Sequence, residues 1–461
     1  MLLPALVDHA DGHEDWIVFI GTSVSVAAIC ALVAVATRGH RIVMNQRLGF
    51  LLVTFVWLTT TLIGALPLYF APIGLTFAGA FFESMSGLTT TGSTVLSGLD
   101  AMPRGILMWR ALLNGLGGIG IIGMVLLILP SLRVGGLSLF QLESSDKSEK
   151  LLPRVNQLAS GVIAIYVALV FACASTYYLL GMTLFDAVTH AMPTIATGGF
   201  ANYDESLGFF QSDPILVAST IFMVLGALPF VLYIRFFLPR RLQAWYDPQV
   251  PLFLAFCVVF SLGIAATRVF LDDVSFGEAV VSSAFNLVSV ITTTGFVSED
   301  YTLWANAAIG IIFVAMFIGG CAGSTAGGFK VSRLIMLFLV VQANFRRLLR
   351  PHLIQRLKYG NSEISTQTLE TVTIFIFLFF AMLVLGTLAL TMIGLDLLTA
   401  FSGALTAIGN VGPGFGQIIG PAGNFSTIPD AALWVLSFLM LIGRLEIVTV
   451  LILLSPAFWR D

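Results

Sequence analysis

The chain has 461 residues, a mean hydropathy of +0.97, 57% hydrophobic and 10% charged residues, and a formal net charge of −3. Soluble domains carry about 25% charged residues, so the composition excludes a soluble globular protein and leaves no nucleic-acid partner to expect. The four cysteines, Cys30, Cys173, Cys257 and Cys321, lie in apolar runs without a Cys-x-x-Cys pair. That spacing indicates neither a disulfide framework nor a zinc site.

In chain order, the first run able to span a bilayer is 16–36. It lacks a basic n-region and is followed by Arg38 and Arg41, which reads as a retained helix with its start outside. Then comes a pattern used four times: a span, a short apolar run, a glycine stretch and a span. The first set is 48–70, 77–89, Thr90-Thr91-Gly92-Ser93 and 108–129. The second is 157–180, 184–196, Ala196-Thr197-Gly198-Gly199 and 214–238. The third is 251–271, 276–291, Thr293-Thr294-Gly295-Phe296 and 303–320, continuing to residue 345. The fourth is 368–393, 396–408, Asn410-Val411-Gly412-Pro413 and 431–454. A spanning helix needs roughly 20 mostly apolar residues, so nine full spans are expected. The short runs fit re-entrant segments.

The expected fold is an all-α integral membrane protein. It has four helix–re-entrant pore loop–helix repeats with fourfold pseudosymmetry, plus one N-terminal transmembrane helix. The expected division is 1–44 for the tail and extra helix, 45–149, 150–249 and 250–364 for repeats one to three, and 365–461 for repeat four. With residue 1 outside, 18 of the 22 Lys and Arg fall inside, a strong positive-inside signal. Only Arg104, Arg110 and Arg268 fall outside, and Arg444 lies within a span. Of the 25 acids, 17 lie at the outer face, where they either concentrate cations or simply populate loops that lack lysine.

The central glycines of the four stretches, Gly92, Gly198, Gly295 and Gly412, lie 106, 97 and 117 residues apart. A cation entering hydrocarbon must exchange its hydration shell for oxygen ligands, and rings of backbone carbonyls supply them. Aiming carbonyls inward requires conformations that glycine permits, and a short helix ending there directs its negative dipole end at the ion. One such loop would be only a helix break. Four in matching positions point to a filter made of Thr90, Thr91, Gly92; Ala196, Thr197, Gly198; Thr293, Thr294, Gly295; and Asn410, Val411, Gly412.

Below it, Gly319, Gly320, Gly323, Ser324, Thr325, Gly327 and Gly328 lie in a stretch, 319–330, too glycine-rich for a good helix. We read it as a loop able to block the path rather than as a packing kink. Arg444 deep in the last span is either part of that gate or one half of an inter-helix ion pair. Glu446, two residues on, does not share its helix face and needs a different partner. Gly115-Leu116-Gly117-Gly118-Ile119-Gly120 fits a dinucleotide fingerprint but lies inside a membrane helix, where packing is the better reading. His9 and His13 make a weak surface pair, and His190 reads as a packed or hydrogen-bonded histidine. No HExxH or other catalytic constellation appears, so no enzyme is expected.

These residues resemble the membrane subunit of bacterial Trk-type potassium uptake systems, in the Trk/Ktr/HKT superfamily. The likeness runs from about residue 45 to the C-terminus. It includes Gly64-Ala65-Leu66-Pro67, Leu116 to Ile121, Leu129-Pro130 with Val134-Gly135-Gly136, and Leu152-Pro153-Arg154. It also includes the four filters, 319–330, and Gly443-Arg444-Leu445-Glu446. The resemblance implies a homodimer in the lipid of the bacterial inner membrane, each protomer with its own pore for K+ and no organic cofactor. It further implies an intramembrane loop at 319–330, a pore-facing arginine at Arg444, and a cytosolic nucleotide-binding regulatory ring of the TrkA type. Members usually begin with two extra helices, and this chain shows room for one. A Ktr-like sodium-dependent or less selective pore, an alternating-access transporter and a non-conducting sensor are the alternatives. Parallel rather than inverted repeats argue against alternating access.

Overall fold

A computed structural model describes residues 1–39, 45–124, 151–237, 247–351, 356–360 and 362–460; for 151–158 and 235–237 it describes the backbone only. The motif residues Leu129-Pro130 and Val134-Gly135-Gly136, the side chains of Leu152-Pro153-Arg154, and the expected borders at 44/45 and 149/150 lie outside what is described.

A short helix, Leu2–Asp11, precedes the expected Trp16–Ala36. The Asp8 Oδ1 atom accepts the Gly105 N–H at 2.5 Å, which ties this helix to the first unit. Each of the four units then shows a long leading helix, a short helix and a trailing helix. The leading helices are Gln46–Phe70, Leu151–Leu179, Gln249–Leu271 and Thr366–Ile393. The short helices are Phe77–Leu88, Leu184–Ala196, Phe276–Ile291 and Leu397–Gly409, at 12–16 residues too short to cross a bilayer. Three of them start at a side-chain cap: Thr76 Oγ1 accepts from Gly79 N, Thr183 Oγ1 from Asp186 N and Asp396 Oδ2 from Thr399 N. Such caps satisfy first-turn N–H groups that have no partner within the helix.

Among the described residues, six helices are long and apolar enough to cross a membrane, or seven if one bent pair counts as a span. Nine unbroken spans were expected, and the trailing helices account for the difference. The run 214–238 divides into Asp213–Ala227 and Phe230–Phe237 around Pro229, which lacks an N–H and cannot continue the ladder. The run 303–345 divides into Asn306–Ala315 and Val331–Leu349. The run 431–454 turns by 115° between Asp430–Arg444 and Ile447–Leu454, where Glu446 has a φ of 62°. Only the first trailing helix, Arg104–Gly123, is unbroken over its described length.

Burial is layered around the short helices. Ala78 to Leu88 are all buried, as are Leu405 to Gly409 and Phe285 to Ile291. The leading helices bury one face and expose an apolar one, with Phe171, Phe377 and Met392 each over 70% exposed. An apolar exterior around a well-packed interior is what a lipid solvent selects. Among the described residues, one short hairpin pairs Lys358–Tyr359 with Ser362–Glu363 at the end of the third unit.

Candidate ion pore

Every short helix ends the same way. One or two residues past its end, a residue adopts a left-handed conformation: Thr90 at φ 52°, Thr197 at 51°, Thr293 at 57° and Asn410 at 52°. The next N–H bonds back to the carbonyl five residues earlier, as Thr91 to Ser86, Gly198 to Pro193, Thr294 to Ser289 and Val411 to Thr406, at 2.8–2.9 Å. This closes the helix in Schellman fashion. A threonine in this conformation is uncommon and strained. The glycine that follows has positive φ in each unit, 87° at Gly92, 69° at Gly199, 85° at Gly295 and 112° at Gly412.

In unit two this register runs one residue later than the stretch Ala196-Thr197-Gly198. The partner of Gly92, Gly295 and Gly412 is Gly199, not Gly198, and Ala196 is the last residue of its helix, in step with Thr89, Thr292 and Gly409. The set in register is therefore Thr197, Gly198, Gly199. With two adjacent glycines, the sequence had offered no way to choose between them.

The four loops close on one another. A Cβ on Gly92 would lie 2.6 Å from the Gly198 carbonyl oxygen, and one on Gly412 2.9 Å from that of Thr91. A Cβ on Gly199 would strike the Thr294 oxygen, and one on Gly295 the Val411 oxygen. Each unit's glycine thus faces the carbonyl of the next unit, in the cyclic order one, two, three, four, one. The carbonyls that meet are those of the same register position: Thr91, Gly198, Thr294 and Val411.

A cavity of about 220 Å³ opens onto this ring and is lined by Gly92, Gly199, Gly295 and Gly412 together. Its charged lining residues are Asp204 and Arg110. Of the acids expected at the outer face, Glu83, Glu299 and Asp204 are held by structural partners. Glu83 holds Arg110 at 2.8 Å with both side chains buried, and Glu299 holds Arg268 at 2.8 Å. Asp204 accepts the Gly98 and Leu99 N–H groups at 2.8 and 3.1 Å. Arg110 also donates to the Ala201 carbonyl oxygen at 2.7 Å, joining units one and two. Truncating Arg110 to Ala leaves a buried carboxylate unpaired, which costs roughly 3–5 kcal/mol. Thermal unfolding of the purified variant in detergent checks this; an unchanged midpoint would refute it.

On the far side of the ring lies the stretch 316–330. Gly327 N donates to Thr293 Oγ1 at 2.6 Å, and Thr325 Oγ1 donates to Ile195 O and Gly226 O, both at 2.9 Å. Cys321 N donates to Ala227 O at 3.1 Å, and Phe230 N to Gly323 O at 3.0 Å. The loop therefore occupies the gap in unit two's broken helix and takes up the Gly226 and Ala227 carbonyls left free at the break, while the Tyr233 hydroxyl takes Leu225 O, the carbonyl that Pro229 cannot bond, as irregular backbone at this depth requires. Gly319, Gly323 and Gly328 carry positive φ, and Gly319 and Gly328 approach each other too closely for side chains. A Cβ on Gly327 would meet the Gly409 oxygen at 2.5 Å, and one on Gly320 the Ala326 methyl at the same distance. Ser324 Oγ donates to Cys321 O at 2.7 Å.

A cavity of about 50 Å³ beside this loop is lined by Gly323, Ser324, Gly327, Gly328, Lys330, Arg333, Arg444 and Glu446, among others. Glu446 pairs with Arg333, and Lys330 Nζ donates to the Ala326 oxygen. The buried Arg444 leaves Nε and Nη2 without a hydrogen-bond partner. Glu446 and Arg444 thus have different fates, as their spacing required. Arg444 ends its helix rather than sitting within a continuous span.

Residues 17–460 match the family model described as TrkH, cation transport protein. The chain belongs to the TrkH cation transport family. Like other TrkH members it is a multi-pass, all-α membrane protein. It is 41% identical to the Trk system potassium uptake protein TrkI of Halomonas elongata, over 100% of this chain and 94% of that one. It is 36% identical to the Trk system potassium uptake protein TrkH of Escherichia coli strain K12, over 100% and 96%. The crystal structure of the potassium transporter TrkH from Vibrio parahaemolyticus matches with a TM-score of 0.92 at 35% identity, over 100% of this chain and 96% of that chain.

Proposed function

We propose that this chain is the potassium-translocating pore subunit of a bacterial Trk-type uptake system in the cell inner membrane. The cyclic contact of the Thr91, Gly198, Thr294 and Val411 carbonyls with the glycines of neighbouring units carries the reading. A ring of neutral oxygens replaces a hydration shell without a fixed charge to trap the ion. The relatives named for potassium uptake supply the choice of ion. Potassium passes from the outer cavity through the ring, with the loop 319–330 and Arg444 as the gate beneath it. The pore subunit works as a homodimer with a cytosolic nucleotide-binding ring. That ring docks on the exposed basic end of Val331–Leu349 and the hairpin, where Arg347 and Arg356 line a cavity of about 450 Å³.

Potassium and rubidium uptake in an uptake-deficient bacterium, with and without a regulatory subunit, tests this. We expect growth at low potassium and saturable rubidium uptake that rises with the partner. Uptake that requires sodium would favour a Ktr-like pore, and no cation uptake under either condition would overturn the reading.

A further inference from the structure

Once the four loops are in register, a second pattern emerges behind them. Seven residues before the left-handed residue stand Glu83, His190, Asn286 and Gly403. Five residues after it stand Val95, Asn202, Ser298 and Phe415. In units one to three the two positions are joined by the same bond. Glu83 Oε2 accepts the Val95 N–H at 2.9 Å, His190 Nε2 that of Asn202 at 3.3 Å, and Asn286 Oδ1 that of Ser298 at 3.3 Å. In unit four, where glycine occupies the position, the preceding residue does the same: Ser402 Oγ accepts the Phe415 N–H at 2.9 Å. Four chemically unrelated side chains, each buried, thus make one bond. Each fastens the chain leaving the carbonyl ring back onto the short helix that enters it. The bond recurs in all four units, whereas the loops' other holds, such as Phe200 N to Asn114 Oδ1 and Ser289 Oγ to Phe296 O, differ from unit to unit, and an orphaned N–H at this depth is costly.

The histidine differs from the rest. Its Nδ1 faces the Asp186 carbonyl oxygen at 2.9 Å, and its Nε2 faces an N–H. The bonds assign the neutral ring with its proton on Nδ1. A second proton on Nε2 would set donor against donor and break the bond. The charged groups acting on the ring are Asp186 of its own helix and Arg110 of unit one's trailing helix. Tyr203, whose hydroxyl donates to Asp186 Oδ2 at 3.1 Å, stacks on the ring with centroids 6.2 Å apart, and Phe210 and Phe296 close the remaining sides.

We propose that Glu83, His190, Asn286 and Ser402 are the positioning residues of the carbonyl ring, and that His190 makes unit two the one whose fastening acid releases. This rests on the pore reading above. The full-length chain in proteoliposomes, with potassium and sodium flux measured at pH 7.5 and 5.5, tests it. Wild-type selectivity should fall reversibly at pH 5.5. His190→Asn, which supplies the acceptor that unit three already uses, should keep wild-type selectivity at both pH values. His190→Leu should lower the potassium-to-sodium ratio roughly ten-fold at both, the factor that a loss of about 1.4 kcal/mol produces. Asn286→Leu should lower it similarly, in a unit that holds no titratable acceptor, and should leave the acid response in place.

Wild-type selectivity in both leucine variants at pH 7.5 would overturn the positioning role. An acid response in His190→Asn equal to that of wild type would overturn the role of the histidine. Absence of cation flux in the wild type would instead fail the pore reading itself.

Discussion

Gly199→Ala is expected to abolish selective potassium transport, while Gly198→Ala retains a measurable part of it. Gly199 has a φ of 69°, and a Cβ there would strike the backbone carbonyl oxygen of Thr294, itself a member of the ring. Alanine therefore meets both left-handed strain, of order 1–3 kcal/mol, and an obstacle that cannot turn away. The expected loss of potassium uptake is on the order of a hundred-fold. Gly198 has no positive φ, and its Cβ would meet the Asn114 side chain, at 2.5 Å from Oδ1. Asn114 bonds to Gly87 O and Phe200 N at 2.8 and 3.2 Å and would have to shift, but a side chain can. Rubidium uptake in the two variants, normalised to membrane protein, decides the register. Equal activity in both, or the opposite order, would return the filter to the Ala196-Thr197-Gly198 frame.

Arg444→Ala should raise cation flux in the absence of any regulatory partner. The guanidinium is buried, lines the cavity beside the loop and has two N–H groups unbonded, while Glu446 is already held by Arg333. Removing it thus leaves no partner orphaned, which separates it from the ion-pair reading of the sequence. At an effective dielectric of about 20, a unit positive charge near the path adds a few kcal/mol to the barrier for a cation. A basal increase on the order of ten-fold or more is expected, with membrane expression near wild type. Lower expression and unchanged flux per molecule would mean that Arg444 only fastens helices.

Much of this architecture was legible in one dimension because the bilayer simplifies the code. Runs of about 20 apolar residues can only span or be buried, so the leading helices and the four short helices lie close to where hydropathy put them. Glycine stretches marked the loops because only special backbone can close there. Less legible were the trailing helices. Hydropathy is blind to backbone bonding, so Pro229 and Glu446 read as parts of continuous spans, although one ends a ladder and the other takes a φ of 62°. The partners of the acids were likewise hidden. Counting placed Glu83, Asp186 and Glu299 at an outer mouth, but each is engaged by a specific donor: Arg110, Asn202 and Arg268. The short N-terminal helix Leu2–Asp11 carried too little apolar length to be read at all.

By itself the sequence determined the class of the protein, its fourfold plan and the family it resembles. These follow from hydrophobicity, periodicity and local backbone freedom, which are properties of short segments. Tertiary structure alone decided the register of the ring, the order in which the units meet, the partner of Glu446 and the unbonded nitrogens of Arg444. A one-residue choice between Gly198 and Gly199 changes no local preference. It is made by which carbonyl of a neighbouring unit, about a hundred residues away in sequence, needs the space a Cβ would fill.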